Sequence, residues 1–149
     1  MNVIFLDIDG VMNHKDFYVK SSRHMLQEFC PIAVECLKEL IAATDAYIVV
    51  SSSWRLAKRL DDMKGLFSHY GLSDRVIGIT PDFMGEEDEA RCTEIQAYID
   101  RNSIEKFIVI DDDDFDMGHL KSRLVHCKDY SGFNNERLNE AILLTKEYN

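Results

Sequence analysis

The sequence predicts an α/β fold, a three-layer sandwich built on a mainly parallel, Rossmann-like sheet, from three observations. Short apolar runs, NVIFL at 2–6, AYIVV at 46–50 and FIVI at 107–110, recur along the chain. They lack polar alternation, as strands buried on both faces do. Segments with apolar residues at helical spacing lie between them, and strands alternating with helices pair in parallel. Each run also stops at a polar group, Asp7 to Asp9, Ser51 to Ser53 or Asp111 to Asp114. In open α/β sheets ligands bind outside these carboxyl ends of the strands.

The first strand, 2–6, ends at Asp7, and Gly10 lets the backbone turn sharply just beyond it. Residues 12–29 show no clean period and read as a loop or small flap. Pro31 stands where a helix would begin, with Ala33, Val34, Leu37, Leu40 and Ile41 following at helical spacing. The second strand, 46–50, stops at Ser51. From Trp54 to Tyr70 an apolar stripe of Leu56, Leu60, Met63, Phe67 and Tyr70 marks an amphipathic helix, capped by Ser53 and ended by Gly71. Trp54 reads as core. Arg75 to Ile79 reads as a short strand. Pro81 and Gly85 mark a loop, and the acidic run Glu86, Glu87, Asp88, Glu89 suits the first turn of a helix reaching about Arg101. A third strong strand, 107–110, is followed by a weaker one around Leu124 to Cys127. The closing helix starts near Asn134 or Asn135, either of which can cap it. With no repeat and no linker, residues 1–149 are expected to form one domain.

At 149 residues the chain can bury a real core, and its 46% hydrophobic and 30% charged residues exclude disorder. The apolar runs fall far short of the ~20 residues that span a bilayer, and the N-terminus lacks the basic start of a signal peptide. Cys30, Cys36, Cys92 and Cys127 are scattered, with no CxxC pair. They read as reduced thiols, and the expectation is a cytoplasmic protein that does not contact a membrane. A net charge of −10 argues against nonspecific nucleic-acid binding, yet seven aspartates at 7, 9, 111–114 and 116 carry −7 of it. If these surround one metal ion, the acidity belongs to the site more than to the surface, and a phosphorylated substrate stays open.

The chemistry suits these residue types. An aspartate is ionised at neutral pH and can attack phosphorus without a separate base. Its approach to a phosphate dianion is repulsive, so a bridging divalent cation is needed. Asp9, two residues past Asp7, is placed to protonate the leaving oxygen and then to activate water against an aspartyl-phosphate. Four adjacent aspartates at a strand end repel one another, and a bound cation relieves that cost.

The runs FLDIDGV, VVSSSWR and FIVIDDDDFD resemble the first, second and fourth motifs of the haloacid dehalogenase (HAD) superfamily of phosphohydrolases. More narrowly, DIDGVMN, SSSWR, RCTEI and DDDDFDM are similar to the HAD domains grouped with Swiss army knife RNA-repair proteins. The resemblance implies a Mg²⁺-dependent phosphatase with Asp7 as nucleophile and Asp9 as acid/base, both touching the metal, Asp9 through its backbone carbonyl. It implies phosphate-binding roles for Ser51, with its neighbour Ser52, and for Arg91, which lies twenty residues before Asp111. Asp112 is selected as the further metal ligand, with Asp116 in support. Four aspartates stand where many relatives have one or two, so the choice among Asp111, Asp112 and Asp113 stays open by one position. Arg55 either pairs with the acidic cluster or reaches substrate.

The histidines show no zinc-binding spacing, the Walker A pattern is missing, and no cysteine is followed by an arginine at C-x5-R spacing. Gaps of about 40 residues separate Asp7, Ser51 and Arg91, leaving little room for a cap domain. A bare site suits a phosphate on a large molecule, such as a nucleic-acid end. Closure by 12–29 instead favours a small metabolite or nucleotide. The competing readings are a non-catalytic phosphate- or partner-binding module, which predicts a lost nucleophile or acid/base, and a phosphotransferase, which differs only in its acceptor. Oligomeric state is not legible.

Overall fold

The computed structural model describes residues 1–24, 26–52, 59–82 and 90–148. Within them the order is β1 (Asn2–Leu6), α1 (Pro31–Thr44), β2 (Tyr47–Val50), α2 (Leu60–Ser68), a 3₁₀ turn (Ser73–Arg75), β3 (Val76–Ile79), α3 (Ala90–Asn102), β4 (Lys106–Asp111), a second 3₁₀ turn (Gly118–Arg123), β5 (Leu124–His126) and α4 (Asn135–Glu147). Among the described residues no helix is long and apolar enough to cross a membrane.

The strands form one parallel sheet in the order β3-β2-β1-β4-β5. Its apolar strands are covered on both sides. Ile4, Leu6, Ile48 and Val50 pack with Leu37 and Leu40 of α1, Met63 and Phe67 of α2, and Leu138 and Ala141 of α4. Val3, Phe5, Val49 and Val109 face the other way, onto Cys92, Ile95 and Ile99 of α3 and onto Met117 and Leu120. Side chains alternate faces along a strand, so β1 feeds both layers and needs apolar residues throughout.

Local signals set most boundaries. Pro31 occupies the first turn of α1, and Asp45 ends that helix in the left-handed region at φ 52°, its N–H reaching Ile41 O at 2.7 Å. Asn134 caps α4, its Oδ1 accepting from Arg137 N at 3.1 Å. The stripe from Trp54 is helical where it is described, but α2 stops at Ser68, short of Gly71. The Ser68 hydroxyl bonds back to Gly65 O at 2.5 Å, a local bond that competes with the helical ladder. Arg75 closes a 3₁₀ turn instead of opening β3, because its guanidinium reaches back to Asp45 at 2.8 Å. Ser53, Trp54, Arg55, Leu56 and the acidic run 86–89 lie outside the described residues. The described part of segment 12–29 is irregular, with isolated antiparallel bridges His14–Phe17 and Lys20–Gln27. Tyr70 stacks on Phe29 with ring centroids 4.3 Å apart and accepts from Phe29 N at 3.0 Å, fixing the end of this segment to the turn after α2.

The topology positions the site. β2 and β3 lie to one side of β1, β4 and β5 to the other, so the strand order reverses between β1 and β4. The crevice at such a reversal is where α/β sheets bind ligands.

Candidate active site

Asp7 and Ser51 sit one residue past the ends of β1 and β2, held by ladder-like bonds from Asp7 N to Ile110 O at 3.0 Å and from Ser51 N to Leu6 O at 2.8 Å. Asp111 ends β4 and Asp112 follows it. The loops after three adjacent strands therefore bring their polar groups together, as the sequence predicts. Carboxylate oxygens of Asp7, Asp111 and Asp112 lie within 4.8 Å of one another, the one such acid group among the described residues. Asp7 and Asp111 are buried, at 5% and 0% exposure.

Arg91, near the start of the described part of α3, reaches into this group. Its Nη1 lies 2.5 Å from Asp111 Oδ2, 2.9 Å from Ser51 O and 3.6 Å from Asp7 Oδ1. One guanidinium thus ties together the ends of β1, β2 and β4. Burial alone would lower its pKa, but the Asp111 and Asp7 carboxylates more than offset this and hold it charged.

One cation does not balance three acids. Burial, reinforced by Asp111, pushes the Asp7 carboxyl well above the usual range despite Arg91. Burial pushes Asp111 up to about 6, again against the pull of Arg91. Hard oxygen donors gathered this closely suit Mg²⁺, which binds a few carboxylates and keeps several waters. Asp7, Asp111 and Asp112 would hold it.

This arrangement has a consequence for stability. Raised folded-state values mean that the stabilisation from these acids is present below the unfolded value of ~3.9 and is lost as pH rises, for Asp111 through about 6. A cation bound among them would replace their protons. The expected result is that Mg²⁺ raises the melting temperature more at pH 8 than at pH 5, measured by differential scanning calorimetry. Equal shifts at both pH values would contradict the assignment of these acids as ligands.

Backbone features hold the acids in place. Gly10 has φ +81°, and a Cβ there would lie 2.2 Å from Asp112 Oδ2, so only glycine lets the two loops approach. Asp113 N donates to Asp111 Oδ1 at 3.0 Å, and Asp113 Oδ1 accepts from Phe115 N at 2.8 Å, an Asx turn shaping the acidic loop. The Ser51 hydroxyl is fully buried with no hydrogen-bond partner among the described residues. A buried polar atom in that condition calls for a partner, which a water or a ligand atom would supply.

Asp9, Asp113 and Asp116 do not join the three-acid group. Asp9 lines a cleft of about 450 Å³ with Asn13, His14, Lys15, Tyr18 and Asp129. Asp116 contributes its backbone carbonyl, which accepts from Cys92 N at 2.8 Å and ties the acidic loop to α3. Ser52 is fully buried beside Ser51. Arg55 lies outside the described residues.

Sequence reasoning missed two residues of this site. Asn13 is 1% exposed and bonds to both Asp9 and Gly10. His126, at the end of β5, donates from Nε2 to Asp112 O at 3.0 Å. Asn13 stands inside the motif run DIDGVMN, the one signal that could have marked it. His126 has none.

A parallel sheet with D-x-D-G after its first strand, a serine after the second, an arginine from the helix before the fourth and an acidic loop at the switch point defines the haloacid dehalogenase class, whose general type is the phosphohydrolase. The family described as the HAD domain in Swiss Army Knife RNA repair proteins matches residues 3–138, and the chain belongs to that family. A comparison with curated proteins gives no match.

Proposed function

We propose that the protein is a Mg²⁺-dependent phosphate monoester hydrolase working through an aspartyl-phosphate on Asp7, with a nucleotide or a nucleic-acid end as substrate. The convergence of the Asp7, Asp111 and Asp112 carboxylates at the switch point carries this reading. Mg²⁺ held there supplies neutralisation of charge between the incoming phosphate and Asp7.

An Asp7 oxygen attacks phosphorus and displaces the ester oxygen, which takes a proton from Asp9. Asp9, now a carboxylate, takes a proton from water as that water attacks the aspartyl-phosphate. Inorganic phosphate leaves, and the Asp7 carboxylate and the Asp9 acid are restored. The buried Ser51 hydroxyl would donate to a phosphoryl oxygen, and Arg91 favours the ionised form of Asp7, adding to the larger contribution a bound cation would make.

The leaving group must lie against Asp9, so it occupies the cleft that Asp9 lines. That cleft, about 450 Å³, is the size of an ordinary small-ligand site. Tyr18, 61% exposed, offers a ring for stacking, and the Lys15–Asp129 pair at 3.0 Å offers groups for sugar hydroxyls. The family description, drawn from RNA repair proteins, agrees with such a substrate.

The test is a screen of nucleotides, sugar phosphates, phosphopeptides and 5′- or 3′-phosphorylated oligonucleotides. Mg²⁺-dependent release of phosphate, abolished by EDTA and fastest with a nucleoside leaving group, is expected. Turnover that survives EDTA would remove the metal from the account.

A further inference from the structure

We propose that Asn13 is the positioning residue that orients the Asp9 carboxyl group toward the leaving group, an inference that rests on the hydrolase reading above. The Gly10 backbone N–H can only donate, and it lies 3.2 Å from Asn13 Oδ1. This fixes which end of the amide is oxygen. Nδ2 therefore faces Asp9, 3.0 Å from Oδ1. An N–H also only donates, so Asp9 Oδ1 must present a lone pair. This bond holds the rotation of the Asp9 carboxyl group.

The amide is held firmly. Asn13 is 1% exposed. The turn that carries it is backed by the loop after β5, where Phe133 N donates to Val11 O at 2.8 Å. Gly132, at φ +63°, packs so closely there that a Cβ would lie 2.7 Å from the same Val11 oxygen. Asp9 and Asn13 both line the cleft assigned to the leaving group. Asn13 touches no reacting atom and acts only through Asp9.

Acid help matters little for a leaving group that departs readily as an anion and much for one that needs a proton. A structural role would not sort substrates in this way. The experiment measures release of the leaving group in a single turnover, with enzyme and Mg²⁺ in excess, for 4-nitrophenyl, phenyl and benzyl phosphates. Asn13→Asp keeps the acceptor for Gly10 N and removes the donor to Asp9. Asn13→Ala removes both and adds no charge, so it carries the measurement if the first variant does not fold. Both are expected to lose rate progressively along the series, with a loss roughly 10-fold or more greater for benzyl than for 4-nitrophenyl phosphate. An equal loss across the series would overturn the role of Asn13 while leaving the hydrolase reading intact. A wild-type protein that releases no leaving group from any of the three would overturn both.

Discussion

Asp7→Asn is expected to lower Mg²⁺-dependent phosphate release by roughly 10⁴-fold or more, the scale seen when a catalytic nucleophile is removed. The same variant is expected to melt at a higher temperature than the wild type at pH 8 without metal. The two effects share one cause. Asp7 is 5% exposed, and its carboxyl is pushed well above the ordinary range by burial and by Asp111. The folded protein therefore tolerates the charged form poorly, and a neutral amide of the same shape removes that cost. Since the folded-state value is raised, the gain should grow from pH 5 to pH 8 as wild-type Asp7 is forced to ionise. Activity assays and melting curves on the purified pair check both parts. A variant that loses activity only because it unfolds would contradict the assignment.

Removing Arg91 is expected to cost both stability and activity. Arg91 lies within 4 Å of Asp7 and Asp111 and accepts no substitute among the described residues, since no other cation is paired with either acid there. Breaking a buried pair from one side costs about 3–5 kcal/mol, because the remaining charge stays buried. Here the acids can take up protons instead, so the loss in Arg91→Ala should be smaller at pH 5 than at pH 8. Asp7 held protonated cannot attack phosphorus, and a fall of roughly 10²–10³-fold in turnover is expected. Arg91→Lys should recover part of both, because one nitrogen, Nη1, makes the contacts to Asp111 Oδ2 and Ser51 O, and an ammonium supplies such a donor as a more strongly hydrated charge on a different stem. Chemical denaturation at the two pH values checks the stability part, and equal losses at both would contradict it.

The sheet was legible because β1, β2 and β4 are buried on both faces and leave runs without polar alternation. The alternation is hidden from sequence yet present in the structure, with Val3 and Phe5 on one side and Ile4 and Leu6 on the other. Asp7, Ser51 and Asp111 were legible as a group because polar residues ending buried strands share one end of the sheet. The 3₁₀ turn at Gly118–Arg123 has no period to read, and Arg75 was drawn out of β3 by a partner thirty residues away. Arg91 could be placed near the acids from resemblance alone. That it binds Asp111 and the Ser51 carbonyl is a property of packing between α3 and two strand ends, which spacing does not encode. Asn13 was hidden for a similar reason: an asparagine in an irregular loop looks like turn chemistry until the fold brings its amide to Asp9.

Asp7 as the nucleophile at phosphorus can be tested directly. Asp9→Asn should slow breakdown of the phosphoenzyme more than its formation when the leaving group departs without a proton. The variant would be mixed with 4-nitrophenyl phosphate and Mg²⁺, quenched in acid, digested and fragmented by mass spectrometry. The expected result is a phosphoryl group on the N-terminal peptide, localised to Asp7 and absent when Asp7 is also changed to Asn. Phosphoryl transfer to any other residue, or phosphate release with an unmodified enzyme throughout, would contradict it.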